Sequence, residues 1–330
     1  MHRGSVAVIA EDGRLLASAG DPHQPIFLRS SAKPFQLTPF LAAGGEKRFR
    51  LSTEEIALSA ASHGGEAFHA ELADGMLRKG GFTVNDLHCG AHPPMSEAPA
   101  HALVARGEKP TPLHNNCSGK HAAMLLACRL LDLPKEGYWR PDHPLQTDKI
   151  YPMISRMTGV PLDRIGIAVD GCSVPVFRVP LSALALAYAR LVGKRLKSEP
   201  TADFRARTRI AQAMATRPEM VAGPGRFTTR LMQAFQGELV SKEGAEGVYA
   251  IGVPPALARA LGEEGSVGIA LKIDDGGERG RDAVTIETLR QLGLAAGDRG
   301  KALKPLAGRR IRNVRGDIVG ELRPVFRLTR

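Results

Sequence analysis

Nowhere in its 330 residues does this chain carry an apolar run approaching the roughly 20 residues that a membrane-spanning helix needs. The opening stretch, Met1 to Ala10, also lacks the long apolar segment of a secretory leader, so a cytoplasmic protein without a membrane partner is expected. Cysteine is scarce as well: Cys89, Cys117, Cys128 and Cys172 are too few and too scattered for a disulfide scaffold, which leaves reduced thiols or metal ligation. Internal repeats, low-complexity tracts and linkers are missing, and Pro and Gly punctuate loops throughout. With 43% apolar and 24% charged residues the chain can build a sizeable core, as one large domain or two small ones.

The formal charge of +11 raises the question of nucleic acid. The densest basic run, Arg309, Arg310, Arg312 and Arg315, sits between Gly308 and Gly316 and has no interleaved aromatics on which bases could stack. It reads as a solvated basic edge that blunts strand-to-strand aggregation, and no nucleic-acid partner is expected. Gly119-Lys120 lacks the full glycine-rich spacing of a phosphate-binding loop, so that reading fails.

What is present begins with two apolar runs, Ser5 to Ala10 and Arg14 to Ser18, around Asp12-Gly13, a strong hairpin signal. Helices are predicted from Ser30 to Leu41, from about Thr53 towards Ser62 behind the capping box Ser52-Thr53-Glu54-Glu55, and from Glu66 to Lys79. Further helical spacing covers Ser118 to Leu131, Leu145 to Thr158 and Leu181 to Val192, interrupted by one strand at Ile165 to Val169. Strands return at Gly247 to Val253, Val267 to Ile273 and Asn313 to Phe326, with helices at Pro255 to Leu261 and Ala283 to Leu292. Strands thus concentrate at the ends and helices in the middle. The expected fold class is α/β of the α+β type, an antiparallel sheet from both termini with an inserted helical subdomain.

Chemistry concentrates in a few short segments. Arg29-Ser30-Ser31-Ala32-Lys33-Pro34-Phe35 puts a serine at a helix start and a lysine three positions later, on the same face. A lysine nitrogen there can take the serine proton, which a hydroxyl needs before it attacks a carbonyl, and the helix N-terminus would stabilise an oxyanion. Ser62-His63-Gly64-Gly65 forms a tight turn in which Ser62 can project; the bland alternatives are a plain helix-terminating turn and a hydrogen-bonded structural His63. Ser241-Lys242-Glu243-Gly244 precedes a strand much like the lysine strand of penicillin-recognising serine enzymes. The densest polar cluster is His114-Asn115-Asn116-Cys117-Ser118-Gly119-Lys120-His121, in which Cys117 and Lys120 lie one turn apart. Together with Cys172 they could hold zinc, although spacing favours His114 or His121 over a lysine as third ligand. Equally, Cys117 and Cys172 could be small buried apolar side chains.

Taken in order, Arg29 to Phe35, Ala61 to Glu66, His88-Cys89-Gly90, His114 to His121, Asp170 to Pro175 and Lys242 to Tyr249 resemble the rhizobial-type (class 3, asparaginase II) L-asparaginases. These pieces span roughly two-thirds of the chain, and their joint order is far more specific than any one of them. The resemblance implies a serine β-lactamase or penicillin-binding-like fold in a single catalytic domain, residues 1–330. Its sheet subdomain would take about 1–50 and 240–330, and its helical subdomain about 51–239. It implies hydrolysis of L-asparagine to L-aspartate and ammonia through a serine acyl-enzyme with two Ser-Lys pairs, Ser30 with Lys33 and Ser62 with Lys242. It further implies substrate contacts from Arg29, His63, Asn116 and Asp170, a zinc ion on Cys117, Lys120 and Cys172, and a homodimer. Cys89, His88 and His92 match the pattern without an assigned role, and no proposed catalytic position is broken. The competing readings are a glutaminase or another serine amidase of the penicillin-recognising fold, and, from a different class, a zinc-binding or basic nucleic-acid-binding protein.

Overall fold

The computed structural model describes residues 1–307 and 310–330. Gly308 and Arg309, the latter a member of the basic run, lie outside the described residues. The chain divides into two compact units, one of residues 1–31, 179–194 and 230–330, the other of residues 32–178 and 195–229. The helix Leu181–Val192 therefore belongs with the terminal segments.

The first unit is built on strands β1 (Gly4–Ala10) and β2 (Leu15–Ala19). Gly13 adopts φ 95° between them, and Ala10 N–H donates to the Arg14 carbonyl at 2.9 Å, closing the hairpin that Asp12-Gly13 predicts. The short strand β3 (Pro25–Phe27) precedes the Ser30 turn. After β4 (Gly166–Val169) of the second unit and β5 (Pro175–Pro180), whose last two residues are counted in the first, the chain returns as β6 (Val240–Gly244), β7 (Val248–Val253) and β8 (Val267–Ile273). The order β2-β1-β8-β7-β6 is antiparallel at every step, so the N-terminal hairpin docks on the late strands as expected. Ser18 on β2 exchanges two backbone hydrogen bonds of 2.8 Å with Thr329, and a small two-stranded ribbon of β9 (Arg310–Arg312) and β10 (Ile318–Glu321) lies just before it in sequence.

Every residue of β7 is buried, which explains its unbroken apolar character. Helix Leu181–Val192 packs on β1, β7 and β8. Two register partners, Gly252 and Gly268, let it approach: a Cβ at Gly268 would strike the Ala185 carbonyl oxygen, and one at Gly252 would stand 2.8 Å from that of Tyr188. Leu181, Leu184 and Leu191 are fully buried by this approach, each contributing about 1.5–3 kcal/mol.

The second unit is helical. Lys33–Ala42 packs against Thr201–Thr216 and against Ser118–Leu130. Thr53–Ser59 begins at the anticipated capping box: Glu55 N–H donates to Ser52 Oγ at 3.2 Å, and Ser52 N–H to Glu55 Oε2 at 2.7 Å. Gly119 has a packing reason, since a Cβ there would collide with the Leu58 carbonyl oxygen of the neighbouring helix. Arg207 and Glu199 form a fully buried bidentate pair at 2.7 and 2.9 Å, and Glu199 Oε2 also accepts the Leu196 N–H at 3.1 Å.

Several boundaries differ from the sequence expectation. The helix predicted from Ser30 starts at Lys33, because Arg29–Ala32 winds as a tighter 3-10 turn entered through Arg29 at φ 49°. The helix expected to reach Ser62 stops at Ser59, and the run from Leu145 opens with a wider π-type turn before Tyr151–Thr158. Lys242, expected ahead of a strand, is itself inside one. Asn313 to Phe326 is broken by a turn at Gly316 and retains only β10 as strand. Among the described residues, no helix is long and apolar enough to cross a membrane.

Candidate active site

In the second unit two separate segments converge on one nitrogen. Lys33, first residue of its helix and 1% exposed, donates from Nζ to the Ala61 carbonyl, to Ser62 Oγ at 3.0 Å and to the Asn116 carbonyl at 3.3 Å. All three acceptors are neutral oxygens. A fully protonated amine fills all three; an amine that has lost a proton can keep both carbonyls and accept from the one group able to reverse its role, the Ser62 hydroxyl.

The neighbouring turn is rigidly braced. Ser62 N–H donates to the Val221 carbonyl at 2.9 Å. His63, fully buried, accepts the Gly65 N–H on Nδ1 at 3.2 Å, which leaves the proton on Nε2 to donate to Ser118 Oγ at 2.9 Å. Its ring stacks on His69, which in turn accepts the Glu66 N–H and donates to the Glu219 carbonyl at 3.0 Å. Burial, then the proximity of His69 and Lys33, holds His63 well below the usual histidine range; burial pushes His69 down to about 4. Both rings are therefore neutral at neutral pH.

Asn116 and Cys117 are set by side chains reaching their peptide groups. Asn116 N–H donates to His92 Nε2 at 3.2 Å and Cys117 N–H to Asn115 Oδ1 at 2.8 Å, while Asn115 Nδ2 donates to the Cys89 and Gly90 carbonyls. Asn115 and His92 were not legible as site residues. Their signal, a buried amide and an imidazole spent on the backbone of one loop, exists only in three dimensions.

Directly beyond, Cys117, Lys120 and Cys172 come together. Lys120 Nζ donates to Cys172 Sγ at 3.0 Å, and the Cys117 thiol donates to Asn116 Oδ1 at 3.3 Å. The neighbouring Cys117 thiol, then the charge of Lys120, bring the Cys172 thiol well below its ordinary range despite burial. The proximity of Cys172, and burial, raise that of Cys117. Burial opposes the charge of Lys120, but the sulfurs of Cys172 and Cys117 outweigh it and raise its pKa. Cys172 is presented by the turn after β4, where Ser173 N–H donates to the Asp170 carbonyl and Ser173 takes φ 72°. Asp170 Oδ1 accepts the Gly171 N–H at 2.8 Å. Burial pushes the remaining thiols, Cys89 and Cys128, up to about 12.

The donor chemistry suits a soft cation: two sulfurs and an amine, beside the buried His121 Nε2, which has no hydrogen-bond partner. Of the two histidines that spacing favours, His114 is spent on Thr111 through Nδ1, at 3.1 Å from both its N–H and its Oγ1. Among the described residues no three His, Cys, Asp or Glu side chains could hold a metal by themselves, so a metal bound here draws on Lys120.

Three predicted site residues lie in the first unit. Arg29 pairs with Glu246, and Ser30 is half-buried in the Arg29–Ala32 turn. Lys242, fully buried in β6, donates to the Glu243 carbonyl at 2.9 Å; its neighbours are braced by Tyr249 on Ser241 Oγ at 3.0 Å and by Arg281 on Glu243 at 3.5 Å.

Compared with known families, the chain matches the model of L-asparaginase II over residues 1–324. No curated protein matches it.

Proposed function

The chain belongs to the L-asparaginase II family and is a hydrolase acting on asparagine, and from that premise we propose that it works through a serine acyl-enzyme with Ser30 as nucleophile. The observation that carries this reading is the Lys33 environment, two backbone carbonyls and one hydroxyl, in which Ser62 is the only partner able to trade a proton. Ser30 loses its proton to Lys33 as its Oγ attacks the side-chain carboxamide carbon of asparagine. The proton then passes through Ser62 to the departing nitrogen, and ammonia leaves an ester on Ser30. Water, deprotonated along a second route through Ser62 and Lys242, cleaves that ester to aspartate and restores the Ser30 hydroxyl.

Arg29 and Asp170 would hold the charged head of the amino acid, with Asn116 beside it. His63, whose two nitrogens are engaged, would act through Ser118 and the Ser62 turn. Zinc would be held by Cys117, Lys120 and Cys172, where it supplies positive charge that fixes this loop and aids recognition of the polar head. The antiparallel sheet entered from both ends, with a helical unit between, supports a serine β-lactamase-like fold in one catalytic domain. A cytoplasmic homodimer without nucleic-acid or membrane partners completes the proposal.

Ammonia release from asparagine and from glutamine, with wild type beside Ser30→Ala, tests it. Wild type is expected to favour asparagine, and the variant to lose nearly all turnover. Near-normal turnover by Ser30→Ala overturns the acyl-enzyme.

A further inference from the structure

Alternate residues of β6 face opposite sides of the sheet. Lys242 and its register partner Ala250 share a side with Gly252, which lies against helix Leu181–Val192. Ser241, Glu243 and Tyr249 share the other side, where helix Glu278–Gln291 packs on β7 and β8. There Tyr249 donates to Ser241 Oγ at 3.0 Å, and Arg281 Nη1 stands 3.5 Å from Glu243 Oε2. The other two guanidinium nitrogens donate to Asp282 Oδ1 at 2.8 and 2.9 Å, and the group lies 5.7 Å from the centre of the Tyr249 ring. Arg281, Glu243 and Asp282 are all buried. Such a cluster is a costly way merely to hold a helix on a sheet: taking a guanidinium and two carboxylates out of water can outweigh their mutual attraction, and apolar side chains of the same volume hold as well or better. What it fixes is direction. The Lys242 amine rests on the carbonyl of Glu243 at 2.9 Å, and the side chain of that same residue is the one that Arg281 grips.

We propose that Arg281 is a positioning residue for the amidase: by holding the Glu243 side chain on the far face of the sheet, it fixes the carbonyl on which Lys242 rests and so the aim of the Lys242 amine. The inference rests on the reading of Lys242 as part of the water route that cleaves the acyl-enzyme. A displacement of about 1 Å in a positioned group can cost on the order of 100-fold in rate. Slackening this grip therefore slows hydrolysis of the ester on Ser30 and spares its formation, which runs through Lys33.

The test sets full-length Arg281→Met beside wild type in thermal unfolding, steady-state kinetics and rapid-mixing ammonia release from asparagine. The variant is expected to melt close to wild type while kcat falls by about tenfold or more. KM is expected to fall in step, leaving kcat/KM nearly unchanged, and ammonia is expected to appear in a burst before the slow steady state. A general loss of packing would lower kcat/KM and give no burst. Glu243→Gln, which keeps the shape but loses the charge that Arg281 grips, is expected to give the same signature and serves if Arg281→Met does not fold. Unchanged kcat in a folded variant, or kcat/KM falling as far as kcat without a burst, overturns the proposal. Lys242→Met separates this failure from that of the underlying reading. If Lys242→Met shows the burst and neither other variant does, only the role of Arg281 is rejected; if Lys242→Met keeps wild-type kcat, the water route through Lys242 fails and the proposal with it.

Discussion

Lys33 Nζ stands 3.0 Å from Ser62 Oγ, with both side chains buried and the remaining Lys33 bonds made to the carbonyls of Ala61 and Asn116. In the proposed mechanism the pair works as a unit, and removing either member removes the same proton path. Lys33→Met and Ser62→Ala should each lower kcat/KM by about 100-fold or more, and the double variant should lose little beyond the worse single. Steady-state kinetics on the three proteins decide it, and additive losses would show the two acting separately.

Chelation should raise KM for asparagine more than it lowers kcat, since the proposed zinc assists recognition and no chemical step passes through it. Initial rates with and without chelator, together with metal analysis of the same samples, check this. A collapse of kcat at unchanged KM would place the metal in the chemistry.

Acid should destabilise the fold in a defined window. Burial holds His69 down to about 4 and keeps His63 well below its ordinary range, while in the unfolded chain both titrate near 6.5. Between those values the unfolded chain binds protons that the native one refuses, so stability is fully present above about 6.5 and falls as pH drops towards 4. The loss from His69 is on the order of a few kcal/mol. Urea unfolding from pH 7.5 to 4.5 should show it, with a shallower slope in His69→Gln; a flat profile would contradict the neutral pair.

Glu199→Ala leaves Arg207 buried and without its bidentate partner, and should cost about 3–5 kcal/mol. Thermal and urea unfolding measure this. A loss below about 1 kcal/mol would mean that water or another acceptor reaches the guanidinium.

Much of the architecture was readable where the signal is local. Asp12-Gly13 fixes a hairpin and Ser52 with Glu55 a helix start, because each works through bonds between near neighbours. Thr201–Thr216 was missed, since its pattern includes an Arg207 that reads as solvent-facing until Glu199 covers it. Ser241-Lys242-Glu243-Gly244 reads as the lead-in to a strand, yet it is itself a fully buried strand whose polar side chains find partners in Tyr249, Arg281 and the backbone. The Ser-x-x-Lys spacing pointed to Lys33, but its contacts with Ala61, Ser62 and Asn116 join segments far apart in sequence.

The clasp between Ser18 and Thr329 occupies part of the outer rim of the sheet, where β2 would otherwise offer free backbone groups to a passing strand. Replacing Thr329 by proline, or trimming residues 327–330, would loosen that clasp and turn the rim into a template for intermolecular pairing. Purification handles for this enzyme therefore belong on a long flexible spacer, and truncated versions should be screened first for self-association.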